Sequence, residues 1–517
     1  MRRSVLALWL CGLAATVAAE TTTFMEEKFT DTKLSGWQKV PMAEVAVGEG
    51  YNGGNCLKFK VEAGKETNAG MISKPVDVKS LAGRGIILEA MIKGENLTKP
   101  EKSYLGPKMM LHLKTPTGDV WQDQRKEYGT YDWKKFTTFL RVPNNAEKIN
   151  LCLGLQGCSG TLRISDVKIT LIPTVAPLDA KPQGDYKQQT RLRGMMSGGA
   201  LSESDFKDLG QWNVNLMRFQ INNPKRQDTS TKEATDRWLD EQMNRIDQVL
   251  PYAKKYGINL LLDLHSGPGM KQTELLNNRL NWSNECQALL VHAWQRLATK
   301  YKDCPEIWGY DLLNEPREDD YVYQPDGGLD WNRLAEQVAK AIRAIDPVKP
   351  IIVEPPIWGS PEGFSVFNPI NVSNVVYSVH FYNPGIFSHQ GIHGRPAGFN
   401  YPGMIEGKKW DKEALRRSLQ PVVDFQRKYQ VPILVGEFSA VRWAPNDSSA
   451  RWMRDVIEIF EENGWDWAYH AFREYEGWDA EWSNDRNVKG RQSSTSRKDL
   501  LLEYFKRNAP KATPEQK

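Results

Sequence analysis

The chain changes its hydrophobic rhythm near its middle. Over residues 24–173, apolar and polar positions alternate in short runs, Cys56–Val61, Gly85–Ile92, Met109–Lys114, Lys148–Leu153 and Gly160–Ser165, separated by Gly, Asn and Pro. Period-two runs of this length read as half-buried strands, and their regular spacing predicts an all-β sandwich. Residues 174–190 carry Pro and Gly without any period and read as a linker. From 191 to 510 short apolar runs alternate with helical periods. The predicted strands are Arg193–Gly198, Val214–Gln220, Ile258–His265, Ile307–Glu315, Pro350–Glu354, Val375–Tyr382, Pro432–Phe438 and Trp465–Phe472. Between them, Leu239, Met243, Ile246, Leu250 and Ala253 share a helical face that Gly257 ends, and Trp331, Leu334, Val338, Ile342 and Ile345 share another that stops at Asp346-Pro347. A third, Met453, Val456, Ile457 and Phe460, lies between a capping Asp447 and Gly464. Eight such units predict an α/β fold, a (β/α)₈ TIM barrel preceded by the sandwich. An open doubly wound sheet is the rival, but no Gly-rich loop follows the first strand.

In a barrel of this kind chemistry sits where the strands end. The predicted strand ends offer Arg218, His265, Asn314-Glu315, Glu354, His380 with Tyr382, Glu437 and His470. Burying so many polar groups is costly unless they are paired or put to use. Two of them, Glu315 and Glu437, are the minimum needed to cleave a glycosidic bond. One protonates the leaving oxygen while the other attacks or stabilises the sugar cation. An arginine and a tyrosine hydroxyl near Glu437 would hold it ionised, whereas Glu315 has no cation in its own motif and keeps its proton longer. Glu354 reads as a substrate-binding or loop-capping group rather than a third catalytic carboxylate.

Composition narrows the class further. Met1-Arg2-Arg3, the apolar stretch Val5–Ala18 and small residues before Glu20 read as a secretory signal over residues 1–19, too short for the ~20 residues of a membrane span. A secreted protein, extracellular or periplasmic, is expected. A net charge of +4 with 26% charged residues gives no reason to expect nucleic acid or an anionic membrane as partner. The 18 Trp favour stackable aromatic surfaces. Trp121, Tyr128, Tyr131 and Trp133 are candidates for a sugar-stacking face on the sandwich, and Trp282, Trp358, Trp443, Trp478 and Trp482 for stacking in loops around the barrel mouth. Five of the six cysteines follow the leader. Cys286 and Cys304 flank a helix that holds them apart, Cys56 with Cys152 or Cys158 stays open, and no metal-type pair is present. His389 and His393, in a loop rich in Gly and Pro, shape the cleft rather than bind a metal. Neither a cofactor nor a metal is expected.

Residues 191–508 resemble family 5 of the glycoside hydrolases, the cellulase-like retaining barrels. The resemblance rests on Asn215-Leu-Met-Arg218, Leu262-Asp-Leu-His265, Leu313-Asn-Glu-Pro316, Val379-His-Phe-Tyr382 and Val435-Gly-Glu437 in order. It implies Glu315 as general acid/base, Glu437 as nucleophile, Asn314 on the sugar 2-hydroxyl, Arg218 and Tyr382 aligning Glu437, and His265 and His380 lining subsite −1. The family usually carries a Trp near the end of the eighth strand. Here alternation puts Ala468 and His470 on one face of that strand and Trp465, Trp467 and Tyr469 on the other. In the usual register His470 replaces the Trp; a slip by one would bring in Trp467 or Tyr469. The end of the first half, Ser159-Gly-Thr-Leu-Arg-Ile-Ser-Asp-Val, resembles jelly-roll carbohydrate-binding modules. The expected activity is retaining hydrolysis of a β-glycan, a polysaccharide or oligosaccharide, most simply an endo-β-1,4-glucanase (cellulase) working as a monomer. β-Mannanase and β-1,3-glucanase or β-glucosidase activity stay open, as does a non-catalytic carbohydrate-binding protein.

Overall fold

The computed structural model describes residues 22–102, 104–116, 118–122, 127–171, 190–269, 284–317 and 331–509. The leader, nearly all of the linker and Trp282 lie outside these residues. The first half forms ten strands, β1 (Thr22–Glu27), β2 (Ala43–Ala46), β3 (Cys56–Val61), β4 (Met71–Val76), β5 (Gly85–Leu97), β6 (Gly106–Thr115), β7 (Gly118–Gln122), β8 (Gly129–Arg141), β9 (Lys148–Gln156) and β10 (Gly160–Leu171). They pair antiparallel in two sheets, β2-β3-β10-β5-β8 with β1 also on β10, and β4-β9-β6-β7. Alternate residues of both sheets, Leu57 and Phe59, Ile86 and Leu88, Met109 and Leu111, Leu151 and Leu153, meet in one core. That two-sheet packing is why the period-two pattern was so regular.

The four aromatics expected to share a stacking face do not share one. Trp121 on β7 is exposed and lies flat on His112 of β6, centroids 3.8 Å apart. Tyr131 and Trp133 belong to β8 in the other sheet; Tyr131 is buried in the core and Trp133 meets Tyr51 edge-on, while Tyr128 packs half-buried against the core. Cys56, Cys152, Cys158, Cys286 and Cys304 are all free thiols, so the pairing left open for Cys56 is not made.

The second half closes into a barrel of eight parallel strands, β11 (Arg193–Ser197), β12 (Leu216–Gln220), β13 (Asn259–Asp263), β14 (Ile307–Asp311), β15 (Ile351–Val353), β16 (Val375–Phe381), β17 (Ile433–Phe438) and β18 (Asp466–His470). Among the described residues seven helices longer than one turn follow barrel strands: α1 (Glu203–Gln211), α2 (Lys232–Tyr256), α3 (Asn284–Tyr301), α4 (Trp331–Arg343), α5 (Lys412–Tyr429), α6 (Ser448–Glu462) and α7 (Ser496–Phe505). After β15 a short 3₁₀ helix, Pro361–Ser365, stands in for the eighth, because Pro355, Pro356 and Pro361 crowd the segment where helix would start. Helix α2 ends as its sequence predicts, on Gly257 in the left-handed conformation at φ 62°. Asp447 precedes α6 but makes no side-chain cap; its carboxylate accepts from Asn484 and Ser496 instead. Among the described residues no helix is long and apolar enough to cross a membrane.

The barrel interior is layered by the two-residue period of its strands. Leu192, Leu216, Leu261, Ile352, Val376, Leu434 and Ala468 form an apolar plug at the bottom. Two residues further along, Leu216 gives way to Arg218, Leu261 to Asp263, Ile352 to Glu354 and Ala468 to His470. A charged layer therefore sits directly on the plug, and β13 and β14 stop within it at Asp263 and Asp311, short of the ends His265 and Glu315 that the apolar runs suggested. Leu216→Ala, at the centre of the plug, is expected to cost about 2–5 kcal/mol of stability, read as a lower denaturant midpoint without a change in m-value.

Candidate active site

The charged layer is arranged around one cation. Arg218 is wholly buried. Its Nε donates to Asp311 Oδ2 at 2.8 Å, its Nη1 to Glu437 Oε1 at 2.8 Å, and its Nη2 to Glu354 Oε1 at 2.8 Å and Asn314 Oδ1 at 3.1 Å. Asp263 Oδ1 lies 3.1 Å from the same Nη2. Four carboxylates exceed what one guanidinium balances, and the site relieves the excess in two ways. Burial pushes the Asp311 carboxyl up, against the pull of Arg218 and with Glu354 and Asp263 adding to the push, which favours its neutral form. The imidazoles supply the remaining charge. Burial opposes their protonation, but Glu354 and Glu437 raise His380 well above the ordinary value, and Asp263, 2.9 Å from His265 Nδ1, lifts His265 to about 9.

Glu315 sits in the turn after β14 with a left-handed backbone, φ 47°. A non-glycine residue holds that conformation only where its surroundings impose it. Here the Glu315 N–H donates to Glu354 Oε2 at 2.7 Å, and Glu354 is in turn held by Arg218 and by His380 Nε2 at 3.0 Å. Glu354 is completely buried and caps the turn that aims Glu315. Trp331 of α4 fixes the same strand end, its indole donating to the Glu354 carbonyl at 2.8 Å.

The carboxyls of the two glutamates of interest are shifted in opposite directions. Burial alone would raise Glu437, but His380, His470, Arg218 and His265 outweigh it and hold the carboxyl well below the usual carboxylate range. Its Oε1 takes Arg218 and its Oε2 takes the Tyr382 hydroxyl at 2.8 Å. Burial raises Glu315, with the charges of Glu437 and Glu354 adding to it, and the single contact to His380 Nδ1 at 3.1 Å does not cancel the effect. One oxygen from each carboxylate and a His380 ring nitrogen all lie within 4.8 Å of one another. Gly436 makes this closeness possible, because a Cβ there would stand 2.5 Å from Ser378 Oγ and 3.0 Å from His380 Nε2.

Those three groups also have the composition of a metal site. His380, however, faces a glutamate through each ring nitrogen, Glu315 at Nδ1 and Glu354 at Nε2, which suits a doubly protonated ring with no lone pair to offer. Arg218 already neutralises Glu437. The donor set fits protons better than a divalent ion.

On β18, Ala468 joins the apolar plug and His470 points into the mouth, with Nδ1 2.7 Å from the Tyr382 hydroxyl and 3.4 Å from Glu437 Oε2. Trp467 packs outward on Phe438 and Phe505, and Tyr469 donates to the Trp478 carbonyl. The register is the usual one, and His470 stands where an indole was to be expected. Arg218, Asn314, Glu315, His380, Tyr382, Glu437 and His470 thus form one connected network, which His265 joins through Asp263. Sequence reasoning missed Asp263, Asp311 and Glu474 as members; the step from apolar Leu261 to charged Asp263 on β13 was the available signal for the first of them.

The aromatic candidates divide. Trp358 is exposed beside Glu315, its N–H on the Pro316 carbonyl and Arg317 4.2 Å over its ring. Trp478 lies against His470 (4.9 Å between centroids) and Tyr382 (6.1 Å). Trp443 and Trp482 carry Arg486 and Arg442 on their faces. His389 approaches Tyr382, centroids 5.0 Å apart, while His393 is exposed.

Residues 184–476 match the model of the family described as Cellulase (glycosyl hydrolase family 5). Endoglucanase C of Acetivibrio thermocellus is 27% identical over 287 residues, 51% of this chain and 81% of that protein. Cellodextrinase A of Ruminococcus flavefaciens is 22% identical over 51% of this chain and 76% of its own length, and a beta-xylosidase of Phanerodontia chrysosporium 24% identical over 52% and 55%. A solved glycoside hydrolase superposes with a TM-score of 0.51 at 22% identity, over 60% of this chain and 99% of that one, a likeness of fold. With the family match spanning more than half of its length and two carboxylates facing each other at the mouth of its barrel, this chain belongs to glycosyl hydrolase family 5 and is a glycosyl hydrolase.

Proposed function

We propose that the protein is a secreted, retaining endo-β-1,4-glucanase acting by double displacement, with Glu437 as nucleophile and Glu315 as general acid/base. The observation that carries this reading is the pair of carboxylates with oxygens within 4.8 Å and opposite protonation. Retaining glycosidases keep their carboxyl groups roughly 5–5.5 Å apart, whereas inverting ones need ~6.5–9.5 Å to admit a water. Glu437, ionised, attacks the anomeric carbon while Glu315 gives its proton to the leaving oxygen. Once the glycosyl ester has formed, Glu437 no longer repels charge on Glu315. The Glu315 pKa falls, and the carboxylate takes a proton from the attacking water. Asn314, oriented by Arg218, is placed to bind the 2-hydroxyl. The preference for β-1,4-glucan rests on relatives named as endoglucanases. The cellodextrinase and beta-xylosidase among them keep shorter glycosides in view. Secretion rests on the leader over residues 1–19, and a carbohydrate-binding role for the sandwich on exposed Trp121.

Reducing-sugar release from cellulosic β-glucan, mannan, xylan and β-1,3-glucan tests the substrate class. Release is expected from β-1,4-glucan and is to fall by at least about 10³-fold in Glu437→Gln; release from another polymer alone would reassign the substrate. Product anomers followed by NMR should appear first in the β form, and an initial α product would exclude double displacement. The kcat/KM profile should be a bell. Its acid limb, where Glu437 gains a proton, should lie below the ordinary glutamate range, and its alkaline limb, where Glu315 loses one, above it. In Glu315→Gln the alkaline limb should vanish, and hydrolysis of glycosides with poor leaving groups should slow far more than that of aryl glycosides.

A further inference from the structure

The eighth strand carries a polar group that the mechanism above leaves unused. His470 is 7% exposed and its Nδ1 is engaged by Tyr382, yet its Nε2 is buried with no hydrogen-bond partner among the described residues. Leaving such a donor unmet costs free energy unless a ligand meets it. The nearest acceptor, Glu474 Oε1, stands 3.6 Å away, too far for a direct bond. Glu474 is itself held in place, because its other oxygen accepts from the Gly198 N–H at 2.9 Å and from Gln220 Nε2 at 3.1 Å. Its Oε1 is therefore turned toward His470 by β11 and β12. A hydroxyl oxygen about 2.8 Å from each would stand to one side of the line that joins them, accepting from Nε2–H and donating to the carboxylate.

Topology decides which sugar supplies it. Glu315 follows the fourth strand of the barrel and His470 ends the eighth, four strands away on the opposite wall. The leaving group lies on the side of the acid, so the clamp faces the sugar being attacked. The imidazole also touches Glu437 Oε2 at 3.4 Å through Nδ1, which keeps Nε2 within one sugar ring of the nucleophile.

We propose that His470 Nε2 and Glu474 Oε1 form a donor–acceptor clamp for one hydroxyl of the sugar whose anomeric carbon faces Glu437. The enzyme then reads that hydroxyl by hydrogen bonding where a stacked indole would read only the flat face of the ring. The proposal rests on the catalytic roles given to Glu437 and Glu315. Asn314 accounts for the 2-hydroxyl, and in a β-1,4-linked chain the 4-position is substituted, so the clamped group is the 3- or the 6-hydroxyl.

The test pairs side chain and hydroxyl. 4-Nitrophenyl β-cellobioside and its analogues lacking the 3- or 6-hydroxyl on the ring next to the nitrophenyl group are compared with the unmodified enzyme and with Glu474→Gln, whose amide offers a donor to His470. Thermal unfolding checks that the variant is folded. One analogue is expected to lose about 10- to 100-fold in kcat/KM. Glu474→Gln should lose a similar factor on the full substrate and nothing further on that analogue. Penalties that multiply for both analogues, or a variant as fast as the unmodified enzyme, overturn the clamp while leaving Glu437-dependent cleavage intact. Should the cellobioside go uncleaved, the glucan reading falls, and calorimetric binding of cellobiose and its deoxy analogues to Glu437→Gln decides the clamp. A deoxy penalty that disappears in Glu437→Gln/Glu474→Gln supports it; equal affinities, or none, overturn it.

Discussion

The whole mouth of the barrel depends on one buried guanidinium. Arg218 contacts Asp311, Glu354, Glu437 and Asn314 and lies beside Asp263, so four carboxylates from four strands or strand ends share a single countercharge. Taking Arg218 out of water is expensive, and the carboxylates around it make the placement tenable. The dependence is mutual, because a buried carboxylate stripped of its partner costs about 3–5 kcal/mol. Arginine suits the position because its planar fork reaches several acceptors at once and keeps its charge inside the fold.

Around this centre, two similar side chains acquire different chemistry from their neighbours alone. Glu437 has cations on several sides and a tyrosine hydroxyl, so it stays ionised even when buried. Glu315 has burial, nearby negative charge and one imidazole, and its pKa is raised. Glu354 works on both without meeting solvent. It fixes the Glu315 backbone in a left-handed turn and pairs with the His380 that lies between the two glutamates. The site is thus a network of fixed charges built on an apolar plug, and its rigidity follows from buried groups that would be costly to release.

Much of this was readable from residue order. Arg218, Glu437 and His470 could be named as polar groups at strand ends before any contact was known, while the register that turns His470 inward and Trp467 and Tyr469 outward stayed open. The legible part stops where the chain leaves its two-residue period. Asp311 was not singled out, though it shares Arg218 with the site. Glu354 was read as a substrate-binding or loop-capping group and does cap a turn, but nothing local shows that the turn is the one that carries Glu315. The sandwich aromatics failed as a set because alternation tells which face of a strand a residue occupies, while strand pairing decides which sheet it belongs to.

Periodicity, capping residues and the polar strand ends determined the two-part architecture, the eight barrel strands and the pair of glutamates, because these are local properties of spacing along the chain. Tertiary structure alone decided that Asp263, Asp311 and Glu354 share the charge of Arg218, that His470 keeps an unmet donor, and that Glu474, from a loop with no period, turns toward it. Those outcomes depend on distances and burial between residues far apart in sequence, and electrostatics in a dry interior is set by the sum of such neighbours.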